Sequence, residues 1–218
     1  MARQGSGPLE VESRSAGRRA YLLGDAAALV EYLRRSLPQH VEPQPTTGPA
    51  AAAKAAAVLA PIYALDGRPY LLFTQRSLAL SSHRGEISFP GGSRDATDVS
   101  LRQTALRETM EELGLDAGRV EILGALPSVF TSVSNFLVVP YAGWMGEGLP
   151  ALRPNPSEVA EIIQAPLAGL DDAAIYHREI WRRGGAEHLI HFYDYGAYRI
   201  WGATGRMLHS LLSLLPEE

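Results

Sequence analysis

The 218-residue sequence contains no cysteine. Disulfides, cysteine–zinc sites and cysteine nucleophiles are therefore excluded. It has no apolar run long enough to span a bilayer, and the segment Met1–Ala20 lacks the apolar core of a secretory signal. A basic excess is missing too: 20 Lys and Arg stand against 24 Asp and Glu, for a formal net charge of −4. That balance speaks against a nucleic-acid partner, which a basic stripe would mark. The expectation is a cytoplasmic protein with neither a membrane nor a nucleic-acid partner. An anionic small-molecule substrate remains compatible if a local cation or a metal offsets the global sign.

What is present suffices for one core, with 46% hydrophobic residues. Residues 1–20, rich in Gly, Ser and Arg, read as a mobile N-terminal arm. Residues 21–48 read as an amphipathic helix, Asp25 to Leu37, followed by a proline-rich linker. Asp25 is placed to cap that helix, and Leu29, Val30, Leu33 and Leu37 form a stripe that fits either a cover for the core or a homodimer contact. The main domain is expected over residues 49–218. There, "VLAPIYALDGRPYLLFTQRS" reads as a hairpin turning at Asp66-Gly67, because Pro61 opposes a continuing helix. Val99 to Leu113 is the clearest helix. "SEVAEIIQAPLAGL" reads as a strand leading into a short helix, and "REIWRRGGAEHLIHFYDYGAYRIWG" as strands turning at Gly184-Gly185. Tyr198 and Trp201 alternate there as sheet-face residues. "TGRMLHSLLSLL" reads as a closing helix. Strand runs with few, separated helices indicate an α+β chain or an α/β sandwich.

The stretch "RETMEELG", Arg107 to Gly114, concentrates three glutamates. A helical wheel places Glu108, Glu111 and Glu112 on one face, with Leu106, Thr109, Met110 and Leu113 on the opposite, core-facing side. A solvated charged face with an Arg107–Glu111 pair would produce such a run. Two costs oppose that reading. Glu108 and Glu112 are like charges at i, i+4, worth about 0.2–0.5 kcal/mol. All three also sit near the helix C-terminus that Gly114 implies, where the macrodipole penalises each anion by roughly 0.3–1 kcal/mol. A bound hard cation reverses that sign, and carboxylate oxygens are what Mg²⁺ or Mn²⁺ prefer. Upstream, "FPGG" places Gly91 and Gly92 where the backbone turns sharply or approaches a ligand.

These residues resemble the Nudix box, G-x5-E-x7-R-E-U-x-E-E-x-G-U, the signature of hydrolases of nucleoside diphosphates linked to another group. Gly92 fits its first glycine, and Arg107, Glu108, Glu111, Glu112, Gly114 and Leu115 fit its second half without gaps. Asp98 stands in place of the first glutamate, eight residues separate it from Arg107, and Thr109 takes an aliphatic slot. The coenzyme A diphosphatase branch has this one-residue expansion and a "GG-x-x-D-x-x-D" pattern, met here as "GGSRDATD". Its upstream signature, T-x-R-S-x-x-L-x-x-H-x-G-x-x-x-F-P-G-G, is met in register by "TQRSLALSSHRGEISFPGG", with Glu86 where glutamine is common in that branch.

The resemblance implies a Nudix fold, an α/β/α sandwich with a mixed sheet, and an enzyme dependent on Mg²⁺ or Mn²⁺. Glu108, Glu111, Glu112 and the Gly92 carbonyl are the implied metal ligands, with Arg107 as a structural brace. Glu111 and Glu158 are the candidates for activating water; Glu161 is a third. Arg76, Ser77, His83, Gly85 and Gly91 are implied at the substrate, coenzyme A or acyl-CoA, cleaved to 3′,5′-ADP and (acyl-)4′-phosphopantetheine. Two rivals accompany this reading. One is a Nudix hydrolase of another nucleoside diphosphate derivative, such as ADP-ribose or NADH. The other is a non-catalytic nucleotide-sensing module, which would have no need of the intact glutamates.

Overall fold

A computed structural model describes residues 9–39, 49–78, 84–183 and 185–217. The chain opens with two helices, α1 (Leu9–Gly24) and α2 (Ala26–Ser36). The expected mobile arm is thus helical from Leu9 onward. The C-terminal part of α1, which runs past that arm, is held by tertiary contacts: Leu22 and Leu23 are buried, and Arg19 pairs with Asp171, Nε to Oδ2 at 2.7 Å. Asp25 separates the helices and caps α2, its Oδ1 accepting from the Ala28 N–H at 2.9 Å.

After Pro49–Ala52, a single turn of 3₁₀-helix, come β1 (Lys54–Leu65) and β2 (Arg68–Arg76). They join at Asp66 (φ 52°) and Gly67 (φ 73°), two successive left-handed residues that match the twist of an antiparallel hairpin. Two short strands follow, β3 (Ile87–Ser88) and β4 (Gly91–Ser93), then helix α3 (Leu101–Leu113). The chain continues through β5 (Glu121–Ala125), β6 (Val129–Thr131), β7 (Phe136–Glu147), β8 (Val159–Pro166) and the single turn α4 (Leu167–Leu170). It closes with β9 (Tyr176–Arg183), β10 (Ala186–Tyr195), β11 (Tyr198–Ile200) and α5 (Gly202–Leu212). The expected turn at Gly184-Gly185 falls between β9 and β10; Gly184 lies outside the described residues.

The main sheet is mixed. β1 pairs in parallel with β7 along one edge, while its other edge is shared: its first half pairs with β4 and its last residues with β2. β2 in turn carries β3 and β8. The alternation of β1 distributes its side chains to two cores. Ala57, Leu59 and Tyr63 meet Leu101, Ala105 and Leu113 of α3 on one face. Ala56, Ala60 and Ile62 face the other way, in a core shared with Leu29 and Leu33 of α2 and Leu208 and Leu211 of α5. The result is an α/β/α sandwich. α2 therefore covers the core, with Leu29 and Leu33 fully buried. β9, β10 and β11 form a separate antiparallel sheet in the order β11-β10-β9.

Candidate active site

The site forms where β4 leaves β1 and α3 lies across both. Gly91 and Gly92 are required there for different reasons. A Cβ on Gly91 would stand 2.4 Å from the Ala57 carbonyl oxygen, so only glycine lets β4 pack this closely on β1; its φ of 150° is also one that side chains resist. A Cβ on Gly92 would stand 2.6 Å from the Glu108 carboxylate, so Gly92 leaves the space that Glu108 occupies.

Helix α3 is set at both ends. Ser100 caps its start, accepting from the Gln103 N–H, two residues later than the sequence reading began it. Gly114, at φ 64°, ends it in the left-handed conformation. Its roll about its axis corrects the wheel reading. Met110 is exposed and Glu112 is buried at 4% relative exposure; Glu108 is half-buried and Glu111 exposed. The buried stripe Leu101, Ala105, Glu112 and Leu113 thus carries one of the acids on the sheet side. The wheel fixed angular spacing but not which side of the glutamate group the sheet would contact.

Arg107 is the hub of the cluster. Its guanidinium donates to both oxygens of Asp98 (3.0 and 2.9 Å), to Glu108 Oε1 (3.0 Å), to Glu111 Oε2 (3.2 Å) and to the Ser93 carbonyl (3.1 Å). Asp98 is buried at 3% exposure and also accepts from the Asp95 N–H and the Thr104 hydroxyl. The Arg107 guanidinium holds the Asp98 carboxyl well below the usual carboxylate range, against the opposing effect of burial. Sequence reasoning placed Asp98 in a motif without a role. The expansion before the helix was the available signal that this position does something other than ligate.

Glu112 is the acid of the cluster that is pushed furthest upward. Burial pushes it up to about 7, opposed by the nearby Arg76 and by the Gly91 N–H that it accepts. Burial also raises Glu108, with Arg107 opposing. Glu158, far away in sequence, lies close enough to raise both acids by like-charge repulsion. It reaches the site because the turn before β8 is tied to α3: Asn155 N–H donates to the Glu112 carbonyl (2.8 Å) and Asn155 Nδ2 to Glu158 Oε1 (3.0 Å). Glu161 instead accepts from the Tyr198 hydroxyl at 2.7 Å. Trp201 is not a strand residue as expected but stands at the N-cap of α5, and there it stacks on Phe192 and tilts against Trp181.

Arg76 and Ser77 close the other side. The Ser77 N–H donates to the Glu158 carbonyl at 2.8 Å, and Arg76 pairs through its backbone with Glu86 and Gly85. Gly85, at φ 68°, supplies the left-handed turn that brings the chain back to β3. His83 and Leu80 lie outside the described residues.

Two buried polar atoms here have no partner among the described residues: Glu112 Oε2 and Arg76 Nε. An orphaned carboxylate oxygen costs roughly 1–3 kcal/mol, and groups left so in a site are commonly completed by an ion or ligand. The donor set around Glu112 is all oxygen, as hard divalent cations require. Among the described residues no three acidic or imidazole side chains already converge to ligand distance. Glu108 is turned to Arg107 and Glu158 to Asn155. The residues fit a divalent cation held by Glu108 and Glu112 once those neighbours release part of their hold.

Residues 53–183 match the NUDIX domain model. Over 156 residues the chain is 41% identical to an uncharacterized Nudix hydrolase, NudL, of Photorhabdus laumondii, covering 72% of this chain and 82% of that protein. A Nudix hydrolase NudL of Salmonella paratyphi B is 40% identical over 157 residues, covering 72% of this chain and 80% of its own. Among solved structures, the Nudix hydrolase RenU of M. smegmatis superposes with a TM-score of 0.46 at 22% identity, over 54% of this chain and 73% of its own. The chain belongs to the Nudix family, and it is a hydrolase of phosphorus-containing anhydrides. Nudix enzymes use divalent metal ions. No helix among the described residues is long and apolar enough to cross a membrane.

Proposed function

We propose that the chain hydrolyses the diphosphate linkage of coenzyme A or acyl-CoA, with Mg²⁺ or Mn²⁺, to 3′,5′-ADP and (acyl-)4′-phosphopantetheine. The observation that carries this reading is the series from Thr74 to Asp98. It matches the coenzyme A diphosphatase signature in register, including the extra residue that separates Asp98 from Arg107.

When bound, the divalent cation offsets the charge that protects a diphosphate from nucleophiles. Glu108 and Glu112 hold it, with the Gly92 carbonyl beside them. Arg107 fixes the rotamer of Glu108 and draws Glu111 away from the centre. Glu158 is the better base for the attacking water. It stands with Glu108 and Glu112 and, among the described residues, its side chain is held by a neutral amide, whereas Glu111 is paired to a guanidinium. Arg76 has an uncommitted buried N–H facing this centre and supplies a charge-assisted donor to a phosphate oxygen.

A panel of coenzyme A, acyl-CoA, NADH and ADP-ribose, each with Mg²⁺ or Mn²⁺, tests the substrate. The expected result is selective turnover of the coenzyme A compounds. Turnover of ADP-ribose or NADH with coenzyme A left intact would sink the substrate assignment. Glu112→Gln is expected to lower kcat by about 100-fold or more while leaving the protein folded. Glu158→Gln is expected to lower kcat more than Glu111→Gln does.

A further inference from the structure

One residue beyond Gly92 the site opens into a groove of about 640 Å³, lined by Lys54, Ala55, Ser93, Arg94, Asp95, Ala96 and Phe136. It sits where β1 and β7 begin and β4 ends. Lys54 and Phe136 are paired positions of the parallel β1–β7 ladder, so an ammonium and an aromatic ring stand side by side. Across from them, Arg94 is fixed by its own backbone, N–H to the Ala55 carbonyl at 3.0 Å. Its guanidinium donates to the Asp98 carbonyl through Nε and one terminal nitrogen, at 3.4 and 3.1 Å, leaving the other terminal nitrogen uncommitted.

Among the described residues neither Lys54 nor Arg94 has a carboxylate within salt-bridge distance, in a chain whose acids outnumber its bases. The one acid lining the groove, Asp95, keeps its charge and turns Oδ1 to the Thr97 N–H and hydroxyl, both at 2.8 Å, so the two cations leave the wall with a net positive charge. The groove is coupled to the glutamate cluster through a shared residue, since the Ser93 carbonyl accepts from Arg107. Two cations that form no ion pair among the described residues, outnumbering the one acid beside them, and a ring next to a diphosphate-cleaving centre form a receptor for a nucleoside bearing a second anionic group.

We propose that Lys54 and Arg94 bind a phosphomonoester on the nucleoside half of the substrate, separate from the diphosphate that is cleaved, with Phe136 against the ribose or base. This deepens the coenzyme A reading, in which that group is the 3′-phosphate.

Calorimetric titration of the full chain with 3′,5′-ADP and with 5′-AMP, both with Mg²⁺, reads the subsite without catalysis. The expected preference for 3′,5′-ADP is about tenfold or more, as a charge-assisted contact supplies. Lys54→Ala and Arg94→Ala each reduce that preference, the double variant abolishes it, and Lys54→Arg keeps it. Equal binding of the two nucleotides by the wild-type chain overturns the proposal, as does a preference that survives in the double variant. The substrate reading fails separately. Coenzyme A cleaved without any preference for 3′,5′-ADP removes the subsite alone. A preference lost with Lys54 and Arg94, in an enzyme that leaves coenzyme A intact, keeps the subsite and removes the substrate.

Discussion

Arg107 shows how one side chain organises a site it does not enter. Its planar fork is filled by Asp98, Glu108, Glu111 and a backbone carbonyl, and three of these four partners are anions. Only Asp98 is fully buried, so Asp98 fixes where the fork lies and Glu108 follows it. Removing one partner of a buried ion pair leaves the other uncompensated, at a cost of roughly 3–5 kcal/mol. Here Arg107 is part-exposed and keeps two other carboxylates, which lowers the expected loss to about 2–3 kcal/mol. Asp98→Ala should therefore shift the urea midpoint downward without changing the m-value. Asp98→Asn, which still accepts at one oxygen, should lose less. Under the proposed metal assignment, both should weaken divalent-cation binding, because Glu108 no longer has a fixed guanidinium beside it. Unchanged stability in Asp98→Ala would show that Arg107 is positioned from elsewhere.

At the scale of elements, much was legible because the signals were local. Asp66-Gly67 supplies a turn that few other pairs allow, and the α3 sequence carries its own cap and stop in Ser100 and Gly114. The Arg107–Glu111 pair followed from helical spacing alone. What stayed hidden depended on chain segments far apart. Glu158 is picked out only by the family resemblance; that it reaches the site through Asn155 is a contact no periodicity encodes. The helicity of α1 was masked by its Gly, Ser and Arg content; the buried Leu22 and Leu23 and the Arg19–Asp171 pair are tertiary facts. The two neighbouring glycines separate stability from activity at this scale. Gly91→Ala drives a Cβ into the backbone of β1, which cannot yield, so β4 should detach and stability should drop by about 3 kcal/mol or more. Gly92→Ala meets only the end of the Glu108 side chain, which can swing aside. Its melting temperature should stay near wild type while turnover collapses. Equal thermal losses in the two variants would contradict this division.

The molecule as a whole is held by elements that flank the catalytic ones. α1 and α2 precede residues 53–183, yet α2 fills the core beneath the sheet, and the Tyr32 hydroxyl donates to the Leu214 carbonyl at 2.5 Å, tying the first helices to the last. At that same end, α5 brings His209 against His191 of β10 with ring centroids 4.0 Å apart. Tyr176 and Tyr193 bond to Nδ1 of His191 and His209 respectively. The remaining ionic neighbours are cations, Arg206 from α5 and Arg178 from β9. Burial, then His209 and these arginines, lower His191 to about 4; burial and Arg178 lower His209 in the same direction. The sign follows from linkage. Between an unfolded value of about 6.5 and the folded one, the unfolded chain binds more protons, so stability falls as pH drops through this window. For His191 alone the loss approaches about 3 kcal/mol by pH 4. Above pH 7 both imidazoles are neutral and the contribution is complete. Glu112, pushed up to about 7 by burial, contributes with the opposite sign in the same window, so the decline is read as the difference in unfolding free energy between wild type and His191→Gln at pH 7.5 and at pH 5. His191→Gln, which does not titrate at this position, should gain stability relative to wild type as pH falls across that interval. A difference between the two proteins that is the same at pH 7.5 and at pH 5 would mean that the pair opens and accepts protons without strain, and that α5 is not held against β10 by two neutral rings.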